Sequence, residues 1–143
     1  MSLFHKLLYL GIKYHNSGKI YRANLIRHLM KLYYQCDIPM KTNIHNTVYF
    51  CHGGFGTVIN SKTIIKENTI IQHRVTLGEI IRGSGAPIVG KNCFIGAGAI
   101  VLGEITIGDY AKIGAGALVI NDVRPGTTVV GVPAIEIKRR DFI

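Results

Sequence analysis

Aliphatic side chains recur every six residues along most of the chain. Between positions 59 and 119, every sixth residue is aliphatic except at Gly83. The residues on this period are Ile59, Ile65, Ile71, Leu77, Val89, Ile95, Val101, Ile107, Ile113 and Val119. An α-helix buries one face with a period of about 3.6 and a half-buried strand with a period of two, so neither explains the pattern. A period of six is typical of a short strand, a corner and the next short strand, and it predicts a parallel β-helix of hexapeptides.

The six-residue period is interrupted twice. Phe50 and Ile59 are nine positions apart, so three extra residues lie around the segment 52–56, which has the sequence His-Gly-Gly-Phe-Gly. The second interruption is the segment 79–86, which contains Arg82. Insertions in a repeat array usually form loops, often on the binding face. Both interruptions are therefore predicted to be functional loops.

The sequence Ile-Gly-Ala-Gly-Ala occurs twice, at 95–99 and at 113–117. The two copies start 18 positions apart, which is three hexapeptides and hence one coil, so they should stack. Their small residues predict a shallow wall with accessible backbone amides. Glycine and alanine also permit tight corners, but that alone does not explain why the same patch recurs one coil later.

The first 35 residues have helical periodicity. A break at 16–18 (Asn-Ser-Gly) separates two segments, and Ser17 is a candidate cap for the second one. We expect a helical segment at 1–35, a β-helix at 36–134 and a basic tail at 135–143. The apolar stripe of the helices is expected to pack against the domain or a sister subunit. The lysines and arginines around it leave contact with a membrane surface as an alternative.

Composition and charge narrow the class of protein. The chain has 143 residues, 48% of them hydrophobic, which is enough for one domain with a core. Seventeen Lys and Arg against eight Asp and Glu give a formal net charge of +9, which suits a basic surface or an anionic partner such as a phosphorylated cofactor. The basic residues are scattered and no nucleic-acid motif is present, so nucleic acid is not an expected partner.

The spacing of the cysteines and the length of the apolar runs indicate the cellular compartment of the protein. Cys36, Cys51 and Cys93 are widely spaced and contain no CxxC pair, which fits reduced thiols. No apolar stretch approaches the roughly 18 residues needed to cross a bilayer. We expect a cytoplasmic protein without a transmembrane segment.

Several short motifs, in this order, resemble the serine acetyltransferase-like branch of the hexapeptide-repeat acyltransferases. They are Asp37-Ile38-Pro39, His52-Gly53-Gly54, Val75-Thr76-Leu77-Gly78, the two Ile-Gly-Ala-Gly-Ala segments and Gly131-Val132-Pro133-Ala134. The resemblance covers the chain from Asp37 to Ile137. It implies a left-handed parallel β-helix, a homotrimer with sites between subunits, and the use of acetyl-CoA.

The resemblance implies a catalytic role for His52 and Asp37. His52 lies at the first interruption, and glycines that leave room for substrates follow it. It matches the family histidine that acts as general base on an acceptor hydroxyl, which then attacks the thioester of acetyl-CoA. Asp37, 15 residues earlier, matches the aspartate that accepts a hydrogen bond from this histidine and stabilises the imidazolium.

Other site residues follow from the same resemblance. The residues expected to contact acetyl-CoA are Ala97, Gly114, Ala115, Gly131, Pro133, Lys138 and Arg139. The two alanines would lie beside the pantetheine, whereas the cations would meet the phosphates unless they form only a solvated tail. The expected acceptor contacts are Gly53, Gly54 and Arg82. No metal ligand is expected.

Three departures from the family bear on the acceptor. Cys51 stands where serine acetyltransferases have an aspartate, and Ala86 precedes Pro87 where they often have a histidine. Both family positions help to hold the amino acid. The array is also preceded by only about 35 residues rather than a long helical domain. We therefore expect a hydroxyl of a sugar or polysaccharide precursor, as in capsule or exopolysaccharide O-acetyltransferases, with L-serine as the alternative.

Two other classes of protein remain open at this point. A zinc hydratase would need three well-placed histidines, and His45, His52 and His73 contain no close ligand pair. A non-catalytic scaffold would use the repeat for assembly alone. A thiol nucleophile at Cys51 is a further mechanistic alternative.

Overall fold

The structure is a computed structural model that describes residues 1–138. Arg139 and the four residues that follow it in the predicted tail lie outside the described residues. Two helices come first, α1 (Leu3–Asn16) and α2 (Ile20–Tyr34). The prediction that Ser17 caps the second helix is wrong, because Ser17 ends α1 and its hydroxyl donates to the carbonyl of Lys13.

Short strands follow the helices and wind into a parallel β-helix. Within residues 1–138 they are β1 (Asn43–Ile44), β2 (Tyr49–Phe50), β3 (Val58–Ile59), β4 (Ile64–Ile65), β5 (Ile70–Ile71), β6 (Thr76–Gly78), β7 (Ile88–Val89), β8 (Phe94–Ile95), β9 (Ile100–Leu102), β10 (Thr106–Ile107), β11 (Lys112–Ile113), β12 (Leu118–Val119), β13 (Thr128–Val130) and β14 (Ile135–Ile137). They form three sheets. Sheet 1 has the order β1-β4-β7-β10, sheet 2 the order β14-β13-β11-β8-β5-β2, and sheet 3 the order β12-β9-β6-β3.

The residues on the six-residue period line the core. All ten have relative exposures of 2% or less. Each sheet contributes one strand per coil, so one inward residue per strand fills the centre of the prism. The predicted parallel β-helix of hexapeptides with a helical N-terminal segment is confirmed, and its left-handed winding stays an expectation from the resemblance.

The two copies of Ile-Gly-Ala-Gly-Ala stack as predicted. Ile95 pairs with Ile113 in parallel register. The amide of Gly116 donates to the carbonyl of Ala97 at 2.8 Å, which continues the ladder around the corner.

The two interruptions lie at different corners of the prism. The first contains a tight turn, Cys51–Gly54, between sheet 2 and sheet 3, with left-handed backbone at His52 and Gly53. The second is the loop between β6 and β7, which connects sheet 3 to sheet 1 and contains the exposed Gly83.

Helix α1 packs across the free edge of the first coil. The hydroxyl of Tyr9 donates to the carbonyl of Val48 at 2.7 Å, and the backbone amide of Phe50 donates to Nε2 of His5 at 3.0 Å. Burial raises the pKa of Tyr9 to about 12, so its hydroxyl stays a donor at neutral pH. The helix thus supplies partners for backbone groups of a coil that has no coil beneath it.

The other end of sheet 2 has an antiparallel strand. β14 pairs with β13, with Val129 opposite Glu136. The segment expected to be a basic tail therefore begins with a strand, and Arg124 forms a salt bridge with Glu136 across this end at 2.7 Å.

Candidate active site

The corner between sheet 2 and sheet 3 contains half of the candidate residues. We call it the small-residue corner and define it by the four stacked turns 51–57, 72–75, 96–99 and 114–117. The strand register places His73, Ala97 and Ala115 in one column. Successive strands are about 4.8 Å apart, so the column runs roughly 14 Å from the turn of His52 to that of Ala115.

His52 is exposed at the first turn of this corner. Its backbone is left-handed, with φ of 52°, and its ring lies 5.0 Å from that of His73 in a perpendicular arrangement. Within residues 1–138, Nδ1 of His73 is buried and has no hydrogen-bond partner. Two imidazoles therefore meet at the beginning of the small-residue corner. From the sequence alone His73 is considered as one of three histidines of a zinc site, whereas the strand register places it under the Gly-Ala-Gly column.

The carboxylate of Asp37 is held by α2 instead of His52. Nη2 of Arg27 lies 2.7 Å from Oδ1, and Nζ of Lys31 lies 3.1 Å from Oδ2. Partial burial opposes ionisation, but the hydrogen bonds and charges of these cations outweigh it, and the pKa of Asp37 lies below its usual range. In the part of the chain that the structure describes, no hydrogen bond joins Asp37 to His52. The expected hydrogen-bonded pair is thus absent from this arrangement, because nearby cations compete for the carboxylate.

Gly53 and Gly54 serve the packing of the helices. Both have left-handed backbones, with φ of 62° and 60°. A Cβ on Gly53 would contact the ring of Tyr34 at 3.1 Å, and one on Gly54 would collide with the ring of Phe4. Gly54 is buried. The room predicted for a substrate at Gly54 is therefore filled by Phe4.

Cys51 has the properties of a neutral thiol. Burial raises its pKa above the ordinary value. Since the thiolate is the reactive form, this environment disfavours the alternative in which Cys51 is a nucleophile.

The upper turns of the corner form a shallow trough. Gly98 and Gly116 both have φ of 67° and open space where a Cβ would lie. In the described chain, the backbone amides of Ala97 and Ala115 donate to no backbone carbonyl. Two unused donors beside two glycines make a surface that can bind an extended ligand with polar groups.

The remaining residues predicted to bind acetyl-CoA lie near the top of the trough. Gly114 packs against Val130, where a Cβ would come within 2.7 Å of Cγ1. The carbonyl of Gly131 accepts from the amide of Leu118 at 3.0 Å, which fixes the segment containing Pro133 beside the corner. Lys138 is exposed and lines a groove of about 960 Å³ on sheet 2 that reaches Gly114.

Arg82 lies away from these residues in the chain. Its loop is fixed at the corner between sheets 3 and 1 by a salt bridge from Lys62 to Glu79 at 2.8 Å and by the amide of Gly83, which donates to Glu79. His52 lies at the next corner. Within a single subunit, Arg82 and His52 therefore lie at different corners of the β-helix.

Two further findings concern metals and membranes. Within residues 1–138, no group of three His, Cys, Asp or Glu side chains is arranged to hold a metal ion. Neither helix among the described residues has the length and apolar character needed to cross a bilayer.

Known proteins share this sequence and fold. Residues 86–121 match the family model described as bacterial transferase hexapeptide (six repeats). A serine acetyltransferase from Synechocystis sp. is 39% identical over 131 residues, 90% of this chain and 49% of that protein. The structure of soybean serine acetyltransferase complexed with serine has a TM-score of 0.86 and 33% identity, covering 94% of this chain and 56% of that one. A serine acetyltransferase in complex with CoA has a TM-score of 0.82 and 31% identity, covering 92% and 54%.

These likenesses define the class of the domain. It is a hexapeptide-repeat, serine acetyltransferase-like domain in sequence and in fold. The chain spans about half the length of the curated relatives that it matches.

Proposed function

We propose that this chain is an O-acetyltransferase that moves acetyl from acetyl-CoA to a hydroxyl of a small acceptor. The observation that carries the proposal is the exposed imidazole of His52 at one end of a trough with unused amides at Ala97 and Ala115. The relative solved with CoA supports the choice of donor.

In the proposed mechanism His52 removes the proton from the acceptor hydroxyl as the oxygen attacks the thioester carbonyl. The tetrahedral intermediate collapses, the carbon–sulfur bond breaks, and the leaving thiolate takes the proton from the imidazolium. General-base help of this kind contributes roughly 10²–10⁴ in rate. No metal takes part in these steps.

A matched pair of variants tests the role of His52. His52→Ala is expected to lower kcat by roughly 10²–10⁴ with the fold intact. The neighbouring Cys51→Ala is expected to keep its activity, since partial burial raises the pKa of the Cys51 thiol and disfavours the reactive thiolate. Release of CoA thiol, followed spectrophotometrically, measures both. Near-normal turnover by His52→Ala would remove His52 from this role.

Asp37 can act as the partner of His52 if its carboxylate turns toward the imidazole, because a carboxylate has about four acceptor sites and only three are used by Arg27 and Lys31. We propose that it does so when substrates are bound. Asp37→Asn is then expected to lower kcat, whereas Arg27→Gln, which removes a competing ion pair at 2.7 Å, keeps or raises it. If Asp37→Asn and Arg27→Gln lose the same amount of stability and both keep the wild-type kcat, Asp37 only anchors α2 and has no catalytic role.

The relatives favour L-serine as the acceptor, because the similar proteins named above are serine acetyltransferases and one was solved with serine. A sugar or polysaccharide hydroxyl, as in the capsule and exopolysaccharide branch, is the second candidate. It is favoured by Cys51 and by the buried methyl of Ala86, neither of which supplies the charge or hydrogen bond that an amino acid requires. The thiol-release assay with L-serine, nucleotide sugars and oligosaccharides decides between them.

We propose that the chain works as a homotrimer with acceptor sites between subunits. His52 and Arg82 occupy different corners of one prism, so an acceptor can touch both only across an interface. Mixing inactive His52→Ala subunits with inactive Arg82→Ala subunits should then restore part of the activity. Failure of the mixture to recover activity, after exchange of subunits is shown, would contradict a shared site.

Lys138 and Arg139 are proposed to meet the phosphates of acetyl-CoA. Calorimetric affinity for CoA should fall as salt is raised, because exposed charges are screened. Absence of CoA binding at any salt concentration would favour the non-catalytic scaffold.

A further inference from the structure

The two N-terminal helices carry exposed apolar stripes at helical spacing. On α2 the exposed stripe is Tyr21, Leu25, Leu29 and Leu32, and on α1 it is Leu3 and Leu10, with the half-buried Leu7 between them. The relative exposure reaches 94% for Tyr21 and 82% for Leu32. Helix α2 also buries a separate face against the core, formed by Ala23, Ile26 and Met30. Packing within the chain therefore does not account for the exposed stripe.

The two stripes are continuous with each other. They meet at an apolar groove of about 340 Å³ that is lined by Leu3, Leu7, Leu29, Leu32, Tyr33 and Tyr34. A contiguous exposed apolar surface of this kind marks an interaction site more often than scattered apolar residues do.

The charge around this surface has one sign. Residues 1–36 contain six Lys and Arg and no Asp or Glu. Arg27 and Lys31 are bound to Asp37, but Lys6 and Lys13 form no salt bridge within the described residues. Lys19 and Arg22 lie over the ring of Tyr14, at 5.8 and 5.7 Å from its centroid, between the two helices. Four cations therefore border the apolar stripes without a carboxylate to neutralise them.

We propose that the α1–α2 pair docks the protein on a bilayer that contains anionic lipids. The leucines and Tyr21 would enter the boundary between headgroups and acyl chains, while Lys6, Lys13, Lys19 and Arg22 meet the lipid headgroups. A second copy of this chain is disfavoured as the occupant, because it would bring an identical positive surface against the first. The proposal concerns the helices alone, so it stands independently of the acetyltransferase function.

Sedimentation of the full chain with vesicles tests the proposal. The chain is expected to bind vesicles of phosphatidylcholine with phosphatidylserine, to bind poorly to phosphatidylcholine alone, and to dissociate as salt is raised. Leu29→Gln with Leu32→Gln should lower the partition coefficient at least about tenfold, because each leucine loses its burial in lipid. Lys6→Gln with Lys13→Gln should lower it about fivefold for each charge removed.

Matched controls separate the helix surface from general charge and hydrophobicity. Lys41→Gln with Lys66→Gln removes two exposed lysines of the β-helix and should change binding less than twofold. Tyr21→Asn should also weaken binding to anionic vesicles, whereas Tyr110→Asn, which removes an exposed tyrosine at a β-helix corner, should leave it unchanged. Thermal unfolding of each variant verifies that it is folded.

Three results would overturn the proposal. The first is wild-type protein that stays in the supernatant with anionic vesicles. The second is patch variants that bind as the wild type does. The third is a loss of oligomeric mass in Leu29→Gln/Leu32→Gln relative to the wild type, measured by light scattering, when neither protein binds vesicles. That result would show that a second copy of the chain covers the stripe.

Discussion

Acidification is expected to weaken the attachment of α1 to the β-helix through His5. This side chain is 4% exposed, and its Nε2 accepts the backbone amide of Phe50 at 3.0 Å. Its Nδ1 lies 2.7 Å from Oγ of Ser2, and its ring stacks on that of Tyr49 at 4.9 Å. Nε2 can accept only when the imidazole is neutral. Protonation would place an N–H against the amide of Phe50.

The direction of the pH effect follows from the lowered pKa of His5. Burial, with a smaller contribution from the N-terminal amine, lowers this pKa below the ordinary value of 6.5. Just below pH 6.5 the unfolded chain therefore binds more protons than the folded one. As a result, the free energy of unfolding decreases as the pH is lowered. The contribution is complete above pH 6.5 and decreases by at most about 1.4 kcal/mol per pH unit. An unsatisfied amide at Phe50 would cost about 1–3 kcal/mol, which sets the scale of the total loss.

Urea unfolding from pH 7.5 to pH 5.0, followed by circular dichroism, measures this effect. Asp37 has a lowered pKa and titrates below this range, so it does not contribute there. In His5→Gln the amide oxygen can accept from Phe50 but does not titrate, so the slope of stability against pH should be smaller than in the wild type. His5→Leu, which leaves the amide unpaired, should be less stable than His5→Gln at pH 7.5. Equal slopes in the wild type and His5→Gln would refute the argument.

Three other predictions concern the packing and the site. Gly54→Ala should destabilise the fold by about 1–3 kcal/mol, because φ of 60° and the ring of Phe4 both oppose a Cβ. Gly18→Ala measures the cost of backbone strain alone, because Gly18 has φ of 75° and open space where a Cβ would lie. If Gly18→Ala and Gly54→Ala lower the melting temperature equally, the clash with Phe4 contributes nothing to the destabilisation. Ile113→Ala should cost about 2–5 kcal/mol in urea unfolding, since Ile113 is fully buried, and a loss below 1 kcal/mol would mean that the coil collapses around the cavity. His73→Asn should lower kcat/KM of the proposed reaction roughly ten- to hundredfold with little loss of stability, because His52 loses the ring that limits its rotation. An unchanged pH–rate profile and kcat/KM would exclude that positioning role.

The core of the fold could be predicted from the sequence because each coil repeats one physical requirement. An inward aliphatic residue on each strand, such as Ile95 or Ile113, must fill the prism, so its spacing shows in the sequence. The stacked small residues were predictable for the same reason. The register that brings Ala97 under Ala115 follows directly from the period of 18.

The parts that the sequence did not predict depend on contacts between distant segments. The glycines after His52 suggested space for a substrate, but Phe4 of α1 fills the space at Gly54. Asp37 was expected beside His52, yet its carboxylate is bound by two cations of α2. Neither contact has a periodic signal, because each joins the helical segment to the first coil. The contact between the rings of His73 and His52 likewise depends on the conformation of the inserted turn at 52–56.

The attachment of α1 to the first coil has a consequence for how molecules meet. The end of a parallel β-helix is a row of backbone donors and acceptors on which another chain could continue the ladder. His5 and Tyr9 already occupy groups on that row, at Phe50 and Val48. A helix lying there also keeps any second prism at a distance too great for strand pairing. The same contact that stabilises one molecule therefore prevents the prisms from polymerising end to end into fibres.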